Sequence, residues 1–168
     1  MIVSLTDQLG AKCRMKTWQR ILIVVFLLAV GITIGLSTLK NPAREKALDA
    51  RSVSNLKMIG IALQMYGDDW NDTFPNLSNP DSMRAAITNN LPKSTNPFFD
   101  PRTGQPYQPN SSLTYQKRKD PNASVSMVTV YEPDPTADGS RRVLFADAHV
   151  ERVSESRWQE LKKTSNIP

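Results

Sequence analysis

The single histidine of the chain, His149, lies two residues after Asp147, and this pair is the arrangement in the sequence that most resembles a catalytic one. A histidine oriented by a carboxylate can act as a general base toward a nucleophile. The one cysteine, Cys13, is far away in the chain, and no motif places a serine beside the histidine. The pattern therefore predicts a half-exposed strand histidine rather than a catalytic base.

Other motifs that would support catalysis or tight metal binding are absent from the sequence. One cysteine excludes an internal disulfide and a cysteine-rich zinc site, and one histidine excludes a histidine-pair metal motif. There is no glycine-rich phosphate loop and no nucleophile elbow. The short basic run at residues 117–119 is predicted to be a solvated loop. We therefore predict that the protein is not an enzyme and that it needs no organic cofactor.

The net charge of +5 is concentrated at the N-terminal end of the chain. Residues 1–40 carry five basic residues and one acidic residue, which gives +4, and residues 41–168 carry sixteen and fifteen, which gives +1. A nucleic-acid-binding domain is expected to present a basic face of its own. The distribution therefore predicts no nucleic-acid partner.

A run of sixteen residues at positions 21–36, ILIVVFLLAVGITIGL, contains a single polar side chain, Thr33. As a helix this run is roughly 24 Å long, and three further residues bring it close to the thickness of a bilayer. We therefore predict a transmembrane helix at residues 21–39 that contacts membrane lipid. The anchoring residues are expected to be Trp18, Ile21, Phe26 and Leu36.

The basic residues near this run do not decide its orientation, because four precede it and four follow it. A basic tail of twenty residues favours a cytoplasmic N-terminus, with residues 40–168 outside the cytoplasm and the chain in the inner membrane. The alternative is a cleaved signal peptide, for which Gly35-Leu36-Ser37 is an acceptable cleavage site.

After Pro42, apolar residues recur with helical spacing and predict a helix at residues 43–66. Its first turns are charged and its last turns are apolar almost all round, so the helix should become buried toward its C-terminal end. Gly60 lies in its interior, where glycine costs about 1 kcal/mol relative to alanine. We expect another backbone segment to pack closely against it.

The remaining sequence predicts a loop-rich domain with short elements. A helix is expected at residues 80–90 with Asn79 as its cap, a strand at 125–131, a hairpin of strands 142–146 and 149–153, and a final helix at 155–163. The hairpin should turn at Asp147 and Ala148, which places an alanine where glycine is favoured. Its pairing should put Val143, Phe145 and Val150 on one face, toward the long helix. The aromatic loop at residues 98–107 is expected to be pinned to the core, with a ligand groove as the alternative.

Two stretches of the chain resemble the prepilin-type family of type IV pilin-like and type II secretion pseudopilin-like proteins. They are SNLKMIGIALQMY at residues 54–66, followed by DTFP at 72–75, and VLFADAHVE at 143–151. The resemblance implies an α+β fold, in which a long N-terminal transmembrane helix extends into a small pilin-like domain with an antiparallel β-sheet and a short C-terminal helix. The division would be a basic tail at 1–20, the membrane helix at 21–39 and an extracytoplasmic domain at 40–168.

The resemblance also implies a structural role in a secretion or pilus system, with other pilin-like subunits as possible partners through residues 21–66. The family's processing motif is missing, because residues 18–23, WQRILI, stand where pilin precursors carry GFTLIE, so neither the processing glycine nor the glutamate is present. The alternative is a membrane-anchored domain that binds an envelope partner without polymerising. Because some members of the family bind calcium in a C-terminal loop, Asp134 and Asp138 are calcium candidates, with ordinary loop residues as the alternative reading.

Overall fold

The structure, a computed structural model, describes Trp18 and residues 42–118 and 125–168. The chain divides between Asn41 and Pro42 into two units, and the second unit contains the helices and strands that the structure describes. Its elements are helix α1 (Pro42–Asp69), helix α2 (Pro80–Ile87), a 3-10 turn (Thr88–Asn90), strand β1 (Gln108–Pro109), a 3-10 turn (Ser111–Leu113), strands β2 (Val128–Tyr131), β3 (Arg141–Phe145) and β4 (Val150–Val153), and helix α3 (Glu155–Thr164).

Helix α1 confirms the long helix predicted after Pro42 and runs three residues beyond the predicted end. It has 28 residues, so it is about 42 Å long. Its first turns are mostly exposed, and Leu56, Ile59 and Ala62 in its second half are completely buried. One side of the helix therefore becomes buried in its second half, as the apolar pattern predicts, whereas Ile61 and Met65 on the other side remain exposed.

The four strands form one antiparallel sheet in the order β1-β2-β3-β4. One face packs on α1 and includes Val130 and Leu144. The opposite face packs on α3 and includes Val143, Phe145 and Trp158 of the helix. Because β3 is covered on both faces, all five of its residues are buried. The domain is thus a sheet between two helical layers.

The β3–β4 hairpin corrects the predicted turn and the predicted facing. Leu144 pairs with Val150, and the Phe145 amide donates to the His149 carbonyl at 3.0 Å, so the loop contains three residues rather than two. Of these three, all described, only Ala148 takes a left-handed conformation, with φ of 68°. A one-residue change in register reverses the faces of a strand. Leu144 and Val150 therefore face α1, and Val143 and Phe145 face α3.

The cap predicted for α2 is confirmed, and α3 has a cap of the same kind. Asn79 caps α2 by accepting a hydrogen bond from the Ser82 amide at 2.8 Å, and Pro80 is the first helical residue. Ser154 likewise caps α3, which spans the predicted final helix. Strand β2 begins three residues later than expected, and the two-residue strand β1 has no counterpart in the prediction.

The membrane-spanning helix and the inner-membrane localisation are corrected. Within residues 42–118 and 125–168, no helix combines the length and apolar character needed to cross a bilayer. The α+β content and the antiparallel sheet are present, but the helix that carries the domain begins at Pro42. The predicted span at 21–39, with Ile21, Phe26 and Leu36, lies outside the described residues, and Trp18 is an exposed side chain.

Candidate functional site

His149 is part of the hairpin turn and is held by its two neighbours. Its Nδ1 lies 2.5 Å from Asp147 Oδ1, and its backbone amide donates to the same oxygen at 3.1 Å. The imidazole also stacks on the ring of Phe145, with centroids 4.2 Å apart and planes 4° from parallel. The predicted arrangement of Asp147, Ala148 and His149 thus forms a turn whose side chains order the loop, and the histidine is partly exposed as expected.

Asp138, one of the two calcium candidates, is held by hydrogen bonds and an ion pair. Asp138 accepts hydrogen bonds from Thr136 and from the Ser140 hydroxyl, the latter at 2.7 Å, and it pairs with Arg152 at 2.5 Å. These hydroxyl donors, with the Ser140 amide and the guanidinium, hold the pKa of Asp138 well below its usual range. Asp134 is the second candidate. The described ranges contain no group of three or more carboxylate, histidine or cysteine side chains that is placed to hold a metal.

The densest group of polar side chains surrounds Glu132, which follows β2 and is completely buried. Its Oε1 accepts a hydrogen bond from the Ser52 hydroxyl at 2.6 Å. Its Oε2 accepts one from the Arg142 amide at 2.9 Å and lies 2.6 Å from the Arg102 guanidinium. We call these residues and their charged neighbours the Glu132 cluster. They are Asp49, Ser52, Asp100, Arg102, Tyr107, Glu132 and Arg142.

The outer members of the Glu132 cluster give each of its two arginines a second carboxylate partner. Arg102 also pairs with Asp100 at 3.2 Å, and Arg142 pairs with Asp49 of α1 at 2.8 Å. Tyr107, 2.9 Å from the Ser52 hydroxyl, is buried, and this burial raises its pKa to about 12. Buried charges are tolerated when they are paired and hydrogen-bonded. The cluster therefore connects α1, the aromatic loop and the sheet.

The Glu132 cluster contains residue types that occur in catalytic sites, but its central residues are not accessible to a substrate. Ser52 and Glu132 have no exposed surface, and the Tyr107 ring is equally buried. A substrate must reach hydrogen-bonding distance of a reacting group. The sequence did not predict this cluster, because its members are far apart in the chain; the local signals were Glu132 directly after a strand and the two arginines that open β3.

The aromatic loop is pinned to the core, as predicted. Phe98 and Tyr107 are buried there, and an open groove of about 300 Å³ lies beside Phe99. The charged residues at the groove, Asp81 and Arg84, are paired with each other at 2.9 Å. Ligand pockets combine an apolar lining with convergent polar groups, and this groove offers no free polar group of that kind among its lining residues.

The basic run at residues 117–119 was predicted to be a solvated loop, but its Arg118 side chain binds to helix α1. The Arg118 guanidinium donates to the Gln64 carbonyl at 3.1 Å and to Asp68 at 2.7 Å, and it also pairs with Asp72. It thus caps the C-terminal end of α1, where a positive charge is favourable. Gly67 leaves space for this guanidinium, which would lie 2.6 Å from an added Cβ.

The side of α1 that points away from the sheet carries exposed apolar residues. Ile61 is 55% exposed and Met65 is 47% exposed, and both lie one helical turn apart on the same side. Trp70, 62% exposed, stacks on Tyr66 just after the helix, with centroids 5.6 Å apart. We call the exposed stripe the outer face of α1. It consists of Ser54, Lys57, Ile61, Met65 and Asp68.

The chain matches no protein-family model, no curated protein and no solved structure. The resemblance to pilin-like proteins therefore rests on the two sequence stretches alone. The description of the chain as a single-pass membrane component of a pilus or secretion system is corrected, since no described helix can cross a membrane and no such family is matched.

Proposed function

We propose that the domain is a non-catalytic structural module that docks onto an α-helix of another polypeptide chain through the outer face of α1. The proposal keeps the structural, partner-binding role expected from the sequence, and it does not require a membrane anchor. The observation that carries it is the exposure of Ile61 and Met65, 55% and 47%, on one side of a helix whose other side is buried.

The position of these two side chains favours docking over accidental exposure. Single exposed apolar residues are normal on protein surfaces. Here two of them lie four residues apart, which is the spacing with which one helix presents anchors to another. The neighbouring Ile59 and Ala62 are completely buried, so the helix that presents the anchors is fixed by the core. A fixed helix loses little conformational freedom on binding.

The charges that flank the apolar pair define the chemistry of the partner. Lys57 lies one turn before Ile61, and Asp68 lies one turn after Met65. Charged groups at the ends of an interface set its register and exclude wrong partners. The partner helix should therefore present apolar side chains at its centre, an acidic residue opposite Lys57 and a basic residue opposite Asp68.

Site-specific photo-crosslinking tests the proposal in the full chain. A benzophenone amino acid replaces Ile61 in one variant and Val125, which is 52% exposed and lies outside α1, in the control. The chain is irradiated in the cells that encode it, and the adducts are mapped by mass spectrometry. We expect protein adducts at position 61 that map to a helix with the stated pattern, and few at position 125.

Two results would contradict the proposal. One is the absence of protein adducts at position 61. The other is an equal yield from positions 61 and 125, since contact would then not depend on the outer face of α1.

A further inference from the structure

We propose that the docking partner is a second copy of this chain, and that two α1 helices pair antiparallel about a twofold axis between residues 62 and 63. This inference rests on the proposed function, because it assigns a partner to the same outer face. It follows from the order of side chains along the stripe from Lys57 to Asp68, which is basic, apolar, apolar and acidic.

The charged ends of the stripe are complementary to each other. Lys57 and Asp68 are eleven residues apart, which is about 16 Å along a helix. A twofold axis at their midpoint places residue i of one copy opposite residue 125 − i of the other. Lys57 then faces Asp68 of the second copy, and the same contact occurs twice because the interface is isologous.

Asp68 is open to such a contact even though it also binds Arg118. Its bond to Arg118 uses Oδ1 at 2.7 Å, and the side chain remains 71% exposed. A carboxylate can accept several hydrogen bonds from different cations. The second copy's lysine can therefore approach Asp68 without displacing Arg118.

The same axis brings the apolar residues together. Ile61 falls opposite position 64, beside Met65 of the second copy, so each exposed side chain covers its counterpart. Burial of apolar surface is the main favourable term in such contacts. A parallel pair would instead place Lys57 against Lys57 and Asp68 against Asp68, and opposed like charges are destabilising. The stripe therefore favours the antiparallel arrangement.

The size and symmetry of this contact predict a weak, closed dimer. The two helices overlap over fewer than twenty residues. The area that they bury should therefore be smaller than the roughly 800 Å² per partner of a standard interface. The pair uses the same surface on both copies, and such a contact closes at two subunits. The contact through α1 therefore does not generate a filament.

Charge reversal in the full chain tests the register. The benzophenone at position 61 is combined with Lys57→Glu or with Asp68→Lys, and the yield of the chain-to-chain adduct is measured for each variant and for their mixture. Each variant alone places like charges in both contacts, whereas the mixed pair restores opposite charges in both. We expect a loss of about tenfold or more for each variant alone and recovery of the adduct in the mixture.

Asp69→Lys is the matched control, because it makes the same charge change on an exposed residue that lies about 100° around the helix from Asp68. Melting temperatures establish that each variant folds. Single variants that keep the wild-type yield, or a mixture that does not recover it, would overturn the antiparallel pairing. Adducts at position 61 that map only to another protein would overturn the second copy while leaving the proposed function intact.

Discussion

A Cβ atom added to Gly60 would lie 2.9 Å from the Cβ of Ala148 and 3.2 Å from its Cα. Helix α1 thus lies so close to the hairpin turn that one of the two positions must lack a side chain. The expectation that a backbone segment packs against Gly60 is confirmed, and that segment is the turn itself. This contact fixes the distance between α1 and the sheet.

Gly60→Ala is expected to destabilise the domain. Alanine favours the helix by about 1 kcal/mol, but overpacking a core costs about 1–3 kcal/mol when the neighbouring atoms cannot move away. Here two of the close atoms are the Cβ and Cα of Ala148, which no side-chain rotation can displace. Chemical denaturation of the single and double variants measures the effect. Ala148→Gly should recover part of the loss, and purely additive free energies would contradict the direct contact.

Ala148→Gly alone is expected to raise the melting temperature by a few degrees. Ala148 has φ of 68°, and a left-handed conformation costs roughly 1–2 kcal/mol for a residue with a Cβ. Thermal denaturation measures this change. His149→Ala serves as the comparison, because it alters the turn but leaves an alanine at position 148, so the backbone strain at that residue is not relieved. An unchanged or lower melting temperature for Ala148→Gly would show that the alanine methyl contributes more than the strain costs.

The sequence predicts the elements of this fold better than their facing. Helix α1, the cap of α2, the final helix and the hairpin all follow from local patterns. The loop of the hairpin could be read with two or three residues, since Asp147 and Ala148 fit both types. Only the pairing of Leu144 with Val150 decides between them, and that pairing depends on the packing of α1. The facing of Val143 and Phe145 was therefore predicted incorrectly, and that of Val150 correctly.

The Glu132 cluster could not be predicted for a different reason. Its members come from α1, the aromatic loop, the position after β2 and strand β3, and they are separated by as many as 80 residues in the chain, as between Ser52 and Glu132. Short-range spacing carries no information about such contacts. The outer face of α1 was equally hidden, because periodicity alone did not show which of the many apolar residues of the helix are exposed.

Glu132→Gln is expected to lower the free energy of unfolding by about 3–5 kcal/mol. Removing one partner of a buried ion pair leaves the others charged and incompletely paired. Here the change leaves Arg102 and Arg142 without the carboxylate between them. Chemical denaturation measures the loss. Glu160→Gln is the control, since Glu160 pairs with Arg157 at 3.0 Å at an exposed site, where such pairs contribute about 1 kcal/mol or less. Equal losses would contradict the structural role of the cluster.

Alkaline pH should weaken the fold through Tyr107. Burial raises the pKa of Tyr107 to about 12 from its usual value of 10. A raised pKa in the folded state means that its contribution to stability is complete below about pH 10 and is lost as the pH rises toward 12. The loss should reach about 2–3 kcal/mol.

Denaturation curves of the wild-type chain and of Tyr107→Phe between pH 9 and 12 measure this dependence. The variant loses the hydrogen bond to Ser52 but cannot ionise, so its stability should decline less steeply with pH. Parallel pH profiles for the two proteins would show that another group controls the alkaline transition.

A distance between two copies of the chain tests the docking surface most directly. A nitroxide is attached at Ser54→Cys in a Cys13→Ser background, and the distance between labels is measured by pulsed electron paramagnetic resonance. Antiparallel α1 helices about 9 Å apart place position 54 opposite position 71, so the two labelled backbones should be about 27 Å apart. A distribution centred near that distance supports the paired α1 helices. A separation of about 10 Å, or no interaction between labels, would contradict them.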